Sequence, residues 1–141
     1  MTIRSIIFKL LFVACFGLTV EVQAQAMPDS LRGVWIPFNQ MMGGKAFPKA
    51  VFEKSKLILR DSTYTLITES VDKGLVKYNG NKMDIYGKQG ANTGKRYTAI
   101  YKLESGQLTI CYNLKGDSYP ETFDTTGKPL FFISMFKKET Q

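Results

Sequence analysis

The side chains that could carry catalysis are few in this sequence. Histidine is absent, which removes the usual general base, the commonest metal ligand and every histidine-dependent triad. Two pairs of carboxylates lie close together in the sequence and near predicted turns. They are Glu69 with Asp72, and Glu121 with Asp124. Their polar neighbours favour solvated surface charge over acid–base catalysis. Because no phosphate-binding or dinucleotide-binding glycine pattern occurs either, the sequence predicts a protein that is not an enzyme and has no cofactor.

Cysteine chemistry is equally restricted. The two cysteines are Cys15 and Cys111, and Cys15 lies in a segment that we expect to be removed. A reactive thiol needs a nearby cation or a helix N-terminus to lower its pKa, and neither is recognisable around Cys111 in "QLTICYNL". We therefore predict that Cys111 is a small, unreactive side chain on a strand. A zinc site would need carboxylates and one thiol as its only ligands, so no metal is expected.

The first 26 residues have the features of a bacterial export signal. Arg4 precedes an apolar stretch, and "VQAQAM" then places small residues in A-x-A spacing up to Ala26. We expect cleavage there, which leaves residues 27–141 as a single domain without a stable membrane span. The domain would be periplasmic or secreted. The alternatives are a retained membrane anchor and a lipoprotein modified at Cys15.

The positive charge of the chain does not predict nucleic-acid binding. The formal net charge is +7, but the lysines and arginines are scattered singly along the sequence. A nucleic-acid site would gather them into a patch or stripe. We therefore expect a solvated lysine surface and no nucleic-acid partner.

The sequence predicts short strands as the elements that would position a binding site. From Leu31 onward, apolar and polar residues alternate in short runs separated by turn residues, which is typical of half-buried antiparallel strands. "NGN" and "ESG" between runs indicate hairpins. A short helix or helical turn is predicted only in the loop after the first strand, beginning at Pro48. The eight predicted strands cover residues 31–38, 55–61, 63–69, 73–79, 82–88, 95–103, 107–114 and 128–138.

Eight strands in this order predict an all-β fold. Consecutive antiparallel strands can close into an up-and-down barrel whose interior holds side chains or one small ligand. Closure also removes the exposed sheet edges that promote aggregation. An open sandwich is the alternative.

The segment from Leu31 to Lys138 resembles a family of bacterial exported lipocalin-like domains. The matching residues are "LRGVW" at its start, "GKRYTAIYKLESGQLTICY" at 94–112, and a Tyr-Pro-x-x-Phe element at 119–123. The resemblance implies a small calycin-type barrel, and the family carries no established activity. Tyr119 occupies a position that is usually arginine in that family. A function that depends on the positive charge of this arginine is therefore not expected in this chain.

A second resemblance, to lipocalins proper, concerns one end of the barrel. It rests on Gly33, Trp35 and a cation on the last strand, either Lys137 or Lys138. In lipocalins, the tryptophan closes the floor of the barrel and an arginine packs over its ring. The resemblance implies a structural plug here, for which we select Gly33, Trp35 and Lys137.

The other end of the barrel is the predicted ligand site. The connection over residues 39–52 is rich in methionine and phenylalanine, which suit a variable apolar surface, and could fold over the mouth as a lid or simply cap the core. Inward tyrosines would either shape a pocket or fill the interior. The predicted ligand-binding residues are Met41, Met42, Phe47, Phe52, Tyr64, Tyr101 and Tyr112.

Two functions remain open from the sequence. The first is an exported, monomeric, lipocalin-like protein that holds a small apolar or amphipathic ligand at the barrel mouth. The second is a protein-binding or inhibitory module with a filled, ligand-free barrel, whose partner would be a protein of the cell envelope. The volume of the interior distinguishes the two.

Overall fold

β-Strands account for nearly all of the regular structure. The computed structural model describes residues 25–140, and the only other regular elements in that range are 3-10 turns at Asp29–Leu31 and Lys49–Val51. The predicted all-β class is confirmed. The strands are β1 (Gly33–Met42), β2 (Lys45–Ala46), β3 (Lys56–Arg60), β4 (Thr63–Ile67), β5 (Val71–Asn79), β6 (Lys82–Gln89), β7 (Arg96–Glu104), β8 (Gln107–Asn113) and β9 (Phe131–Lys138).

Eight of these strands form a closed antiparallel barrel. β1 pairs with β3, each strand from β3 to β8 pairs with the next, and β9 returns to pair with β1. β2 is an additional two-residue strand that folds back on the end of β1. The up-and-down barrel is therefore confirmed, and the open sandwich is excluded because the first and last strands are hydrogen-bonded to each other.

The two ends of the barrel differ in their connections. At one end, which we call the floor, strands are joined by two-residue turns at 61–62, 80–81 and 105–106. In the last of these, Ser105 and Gly106 both have positive φ, as the tightest hairpins require. At the other end, the mouth, the connections are longer, and the largest span residues 43–55 and 114–130. The mouth is therefore the end at which loops can form a binding site.

A β-bulge changes which side chains of β1 face the interior. The pairing of β1 with β9 shifts its register between Pro37 and Asn39, so that Phe38 is an extra residue. Pro37 faces the interior before the bulge, whereas Gln40 and Met42 face it afterwards. The strand also runs four residues beyond the predicted end, so the two methionines lie on a strand and not in a loop.

Apolar side chains form two clusters. The larger lies inside the barrel and includes Trp35, Tyr78, Leu108 and Ile110. The smaller lies outside the wall on β7, β8 and β9, where part of the 114–130 connection covers it. The outer faces of these three strands are therefore buried, and strict alternation of buried and exposed residues fails there.

The predicted export signal lies outside the described residues apart from Gln25 and Ala26, and so does Cys15. Met27, the first residue after the predicted cleavage site, is buried in the interior cluster. Residues 25–140 contain no helix with the length and hydrophobicity that a membrane span would need.

Candidate functional site

The floor of the barrel is closed by Trp35. Its side chain is 1% exposed, and its Nε1 donates a hydrogen bond to the carbonyl oxygen of Leu31 at 2.8 Å. Leu31 is itself fully buried in the interior cluster. A buried indole with its N–H satisfied contributes a large apolar surface at little polar cost. Trp35 is thus buried at the floor end of β1, and its role as a plug stays a prediction.

Lys138, and not the expected Lys137, lies over the indole. The Nζ of Lys138 is 5.3 Å from the Trp35 ring centroid, whereas Lys137 lies over Phe38 on the outside. The cause is alternation along β9, which gives Lys138 the inward direction of Phe136. Gly33 makes room for this contact, because a Cβ at that position would lie 2.6 Å from Cε of Lys138.

A cavity of about 460 Å³ occupies the interior above the plug. Most of its lining is apolar and comes from inward side chains of several strands. The cavity reaches the surface at the mouth, where Phe47 borders it and Val51 is 61% exposed. Six of the apolar lining residues are Leu57, Leu66, Val76, Met83, Ile85 and Ile110.

Four of the seven predicted ligand-binding residues line this cavity: Met42, Phe47, Tyr64 and Tyr112. Phe132 of β9 joins two of them into an aromatic wall. Its ring centroid lies 6.0 Å from that of Phe47 and 5.7 Å from that of Tyr112. The 43–55 connection therefore contributes to the mouth through Phe47.

The other three predicted residues do not border the cavity. Met41 points outward after the bulge in β1 and packs on the outer cluster. Tyr101 lies towards the floor, where its hydroxyl donates to the carbonyl oxygen of Gly80 at 3.2 Å. Phe52 is 4% exposed but is not among the residues that line the cavity. Their assignment to the ligand site is not supported by their positions.

A polar group on the cavity wall, which we call the Asp72 cluster, consists of Tyr64, Asp72, Asn92 and Tyr97. Of these residues, only Tyr64 was predicted to bind a ligand. Asp72 is 5% exposed, so the expectation that it is a solvated charge is wrong. Tyr64 Oη donates to Asp72 Oδ2 at 2.8 Å. Asn92 donates to the same carboxylate through Nδ2 at 2.8 Å and through its backbone N–H at 3.1 Å. Tyr97 Oη donates to Asn92 Oδ1 at 2.8 Å.

Two glycines allow this cluster to form. A Cβ on Gly74 would lie 2.6 Å from Cε1 of Tyr64, and one on Gly87 would lie 1.8 Å from the carbonyl oxygen of Asn92. Gly74 therefore leaves space for the Tyr64 ring, and Gly87 lets the connection after β6 approach the wall. The space at Gly74 lets the hydroxyl of Tyr64 reach Asp72, and the space at Gly87 lets Asn92 do the same.

The phenol groups of the cluster are held in their protonated form. Burial, together with the hydrogen bond to Asp72 and its charge, raises the pKa of Tyr64 well above its usual value. Burial and the same carboxylate raise the pKa of Tyr97, and burial raises that of Tyr112. These hydroxyls are therefore protonated hydrogen-bond donors at neutral pH.

A second polar contact on the cavity wall joins β1 to β9. Nε2 of Gln40 donates to Oγ of Ser134 at 3.1 Å, and both residues line the cavity. The interior thus offers a largely apolar volume with two separate polar places. This arrangement can bind and orient an amphipathic molecule.

Groups that could ligate a metal ion are not gathered in the part of the chain that the structure describes. Within residues 25–140, no three carboxylates or thiols lie close enough together to hold a metal ion. Cys111 is fully buried in the outer cluster, and burial raises its pKa to about 11 although Lys128 acts in the opposite direction. These features fit the unreactive thiol that the sequence predicted.

Tyr119 anchors the 114–130 connection to the barrel wall. Its hydroxyl donates to Oδ2 of Asp84 at 2.7 Å, and Lys82 lies 5.0 Å from its ring centroid. Arg96 pairs with the other oxygen of the same carboxylate. The Asp84 carboxylate thus binds a neutral donor from the connection and a cation from β7.

Comparisons of the chain with protein-family models, with curated proteins and with solved structures found no significant match. The resemblance to exported lipocalin-like domains therefore stays a prediction.

Proposed function

We propose that the protein binds a small apolar or amphipathic molecule inside the barrel, close to its mouth. The observation that supports this function is the cavity of about 460 Å³. Pockets for small ligands typically measure about 300–1,000 Å³ and combine apolar walls with a few polar groups. The interior of this barrel has both properties.

The apolar walls would supply most of the affinity. Each Å² of apolar surface removed from water contributes about 25 cal/mol, and side chains such as Leu66, Ile85 and Ile110 present such surface to the cavity. The Asp72 cluster and the Gln40–Ser134 contact would orient a polar group of the ligand. Access lies between Phe47 and Val51, where the cavity reaches the surface.

The rival function, a protein-binding or inhibitory module with a filled barrel, receives no support from an interior of this volume. Export to the periplasm or beyond belongs to the proposal on sequence grounds. So do a monomeric state and the lack of an enzymatic activity.

Titration with an uncharged apolar dye tests the proposed function. We expect the fluorescence of N-phenylnaphthylamine to rise and saturate at one dye per chain when the purified protein is added, because the dye leaves water for the cavity. Native mass spectrometry should show the same one-to-one complex. A protein that gives neither a saturable signal nor a complex would contradict the proposal.

A further inference from the structure

The cavity wall carries a buried carboxylate that has no cationic partner among the described residues. Asp72 borders the cavity, and its three hydrogen bonds come from the hydroxyl of Tyr64 and two N–H groups of Asn92. These donors are neutral. Among the residues that the structure describes, no lysine or arginine nitrogen lies within the 4.0 Å of an ion pair with Asp72.

A carboxylate in this position favours an additional positive group. Burial of a charge costs free energy unless hydrogen bonds and an opposite charge compensate it. A carboxylate offers about four acceptor positions, and the neighbouring residues use three. An ammonium group in the cavity would supply both a further donor and the missing charge.

The same charge disfavours an anionic ligand. Within the described part of the chain, two charged residues line the cavity, Asp72 and Lys56. Nζ of Lys56 is already paired with Oε1 of Glu139 at 2.7 Å. An anionic head group would therefore lie near the like charge of Asp72, which repels it, and would have to compete with Glu139 for Lys56.

We propose that the cavity selects cationic amphiphiles, that is, alkyl or aryl amines whose ammonium group pairs with Asp72 while the hydrocarbon part packs on the apolar wall. This inference rests on the proposed function and adds the chemical class of the ligand. Leu66 faces Asp72 across the β4–β5 pairing, so an apolar surface lies directly beside the carboxylate. The site thus joins one charge to a continuous apolar volume.

Displacement of the bound dye by three ligands of equal chain length tests the selectivity. The ligands are dodecylamine, dodecanol and dodecanoate, used at neutral pH below their aggregation concentrations. We expect dodecylamine to displace N-phenylnaphthylamine at a concentration at least about tenfold lower than dodecanoate, as a charge-assisted hydrogen bond allows. The concentration of dodecanol that displaces the dye should lie between those of the two charged ligands.

Asp72→Asn supplies the matched variant. It keeps the shape of the side chain and removes the charge, so the preference for dodecylamine should disappear while displacement by dodecanol changes little. Glu69→Gln is the control, because it removes an exposed negative charge near the same mouth and should keep the preference. Binding of the dye by each variant shows that its cavity is intact.

The outcomes separate this inference from the proposed function. If the wild-type protein binds the dye but dodecanoate displaces it as well as dodecylamine does, the inference is overturned and the proposed function stands. Loss of selectivity in Glu69→Gln to the same extent as in Asp72→Asn would also overturn it. If the dye does not bind at all, both the inference and the proposed function are refuted. The wild-type comparison needs no variant, so the inference can be refuted even if Asp72→Asn does not fold.

Discussion

Replacement of Trp35 by alanine is expected to lower the free energy of unfolding by about 3–5 kcal/mol. The indole is almost fully buried at the floor, and its removal leaves a void together with an unpaired carbonyl oxygen on Leu31. Lys138 also loses its ring contact, worth about 0.5–1 kcal/mol. Urea unfolding followed by far-UV circular dichroism measures the change without relying on tryptophan fluorescence.

Phe38→Ala is the control for this prediction. Phe38 lies on the same strand but is 39% exposed on the outside, so its replacement should cost about 1 kcal/mol or less. Trp35→Phe keeps an aromatic ring at the floor, so its loss in the free energy of unfolding should lie between those of Trp35→Ala and Phe38→Ala. Equal losses for Trp35→Ala and Phe38→Ala would show that the indole is not a plug.

Replacement of Leu66 by tryptophan is expected to weaken binding of N-phenylnaphthylamine by at least about tenfold, which corresponds to about 1.4 kcal/mol. Leu66 points into the cavity from β4, so a larger side chain there occupies the volume that the dye would use. Because the indole enters existing space, the overpacking that destabilises a filled core is avoided. Dye titration gives the change in affinity, and urea unfolding checks the fold.

Ile67→Trp is the matched control for the blocked cavity. Ile67 is the next residue on β4 and points to the opposite face of the wall, so it adds the same indole outside the barrel. We expect unchanged dye affinity. If both variants bind the dye as the wild type does, the binding site lies elsewhere on the molecule.

Much of the fold could be predicted from the sequence because the signals are local. Alternation with period two identifies half-buried strands, and Ser105-Gly106 adopts the positive φ angles of a tight hairpin. The eight predicted strands all appear. Trp35 could be placed because its position at the start of the first strand fixes the end of the barrel to which it belongs.

The bulge in β1 shows what local patterns miss. The extra residue, Phe38, reverses the direction of every later side chain on the strand, so Met42 enters the cavity and Met41 leaves it. Nothing in "VWIPFNQMM" specifies the bulge, since it depends on the pairing of β1 with a strand about a hundred residues away.

The inward directions of Lys138 and Asp72, in contrast, could have been predicted from the alternation of inward and outward residues along their strands. On β9, Lys138 has the same direction as Phe136. On β5, Lys73 and Lys77 face solvent, which turns Asp72 to the interior together with Val76. An acidic residue at an inward position of a strand is therefore the signal that would have found the polar part of the site.

The volume of the cavity could not be predicted from the sequence. It depends on how the side chains of all eight strands fill the interior, which also holds large buried residues such as Tyr78 and Met83. Small changes in rotamer or strand tilt alter the remaining space. Only the three-dimensional arrangement distinguishes a filled barrel from one with room for a ligand.

The most direct test of the central claim, that a ligand binds inside the barrel, is a methyl-resolved NMR titration with N-phenylnaphthylamine. We expect the methyl signals of Leu66, Ile85 and Ile110, which face the cavity, to shift until one dye is bound per chain. Those of Ile58 and Ile67, on the outer faces of β3 and β4, should move little. Shifts confined to the outward methyl groups would contradict the claim.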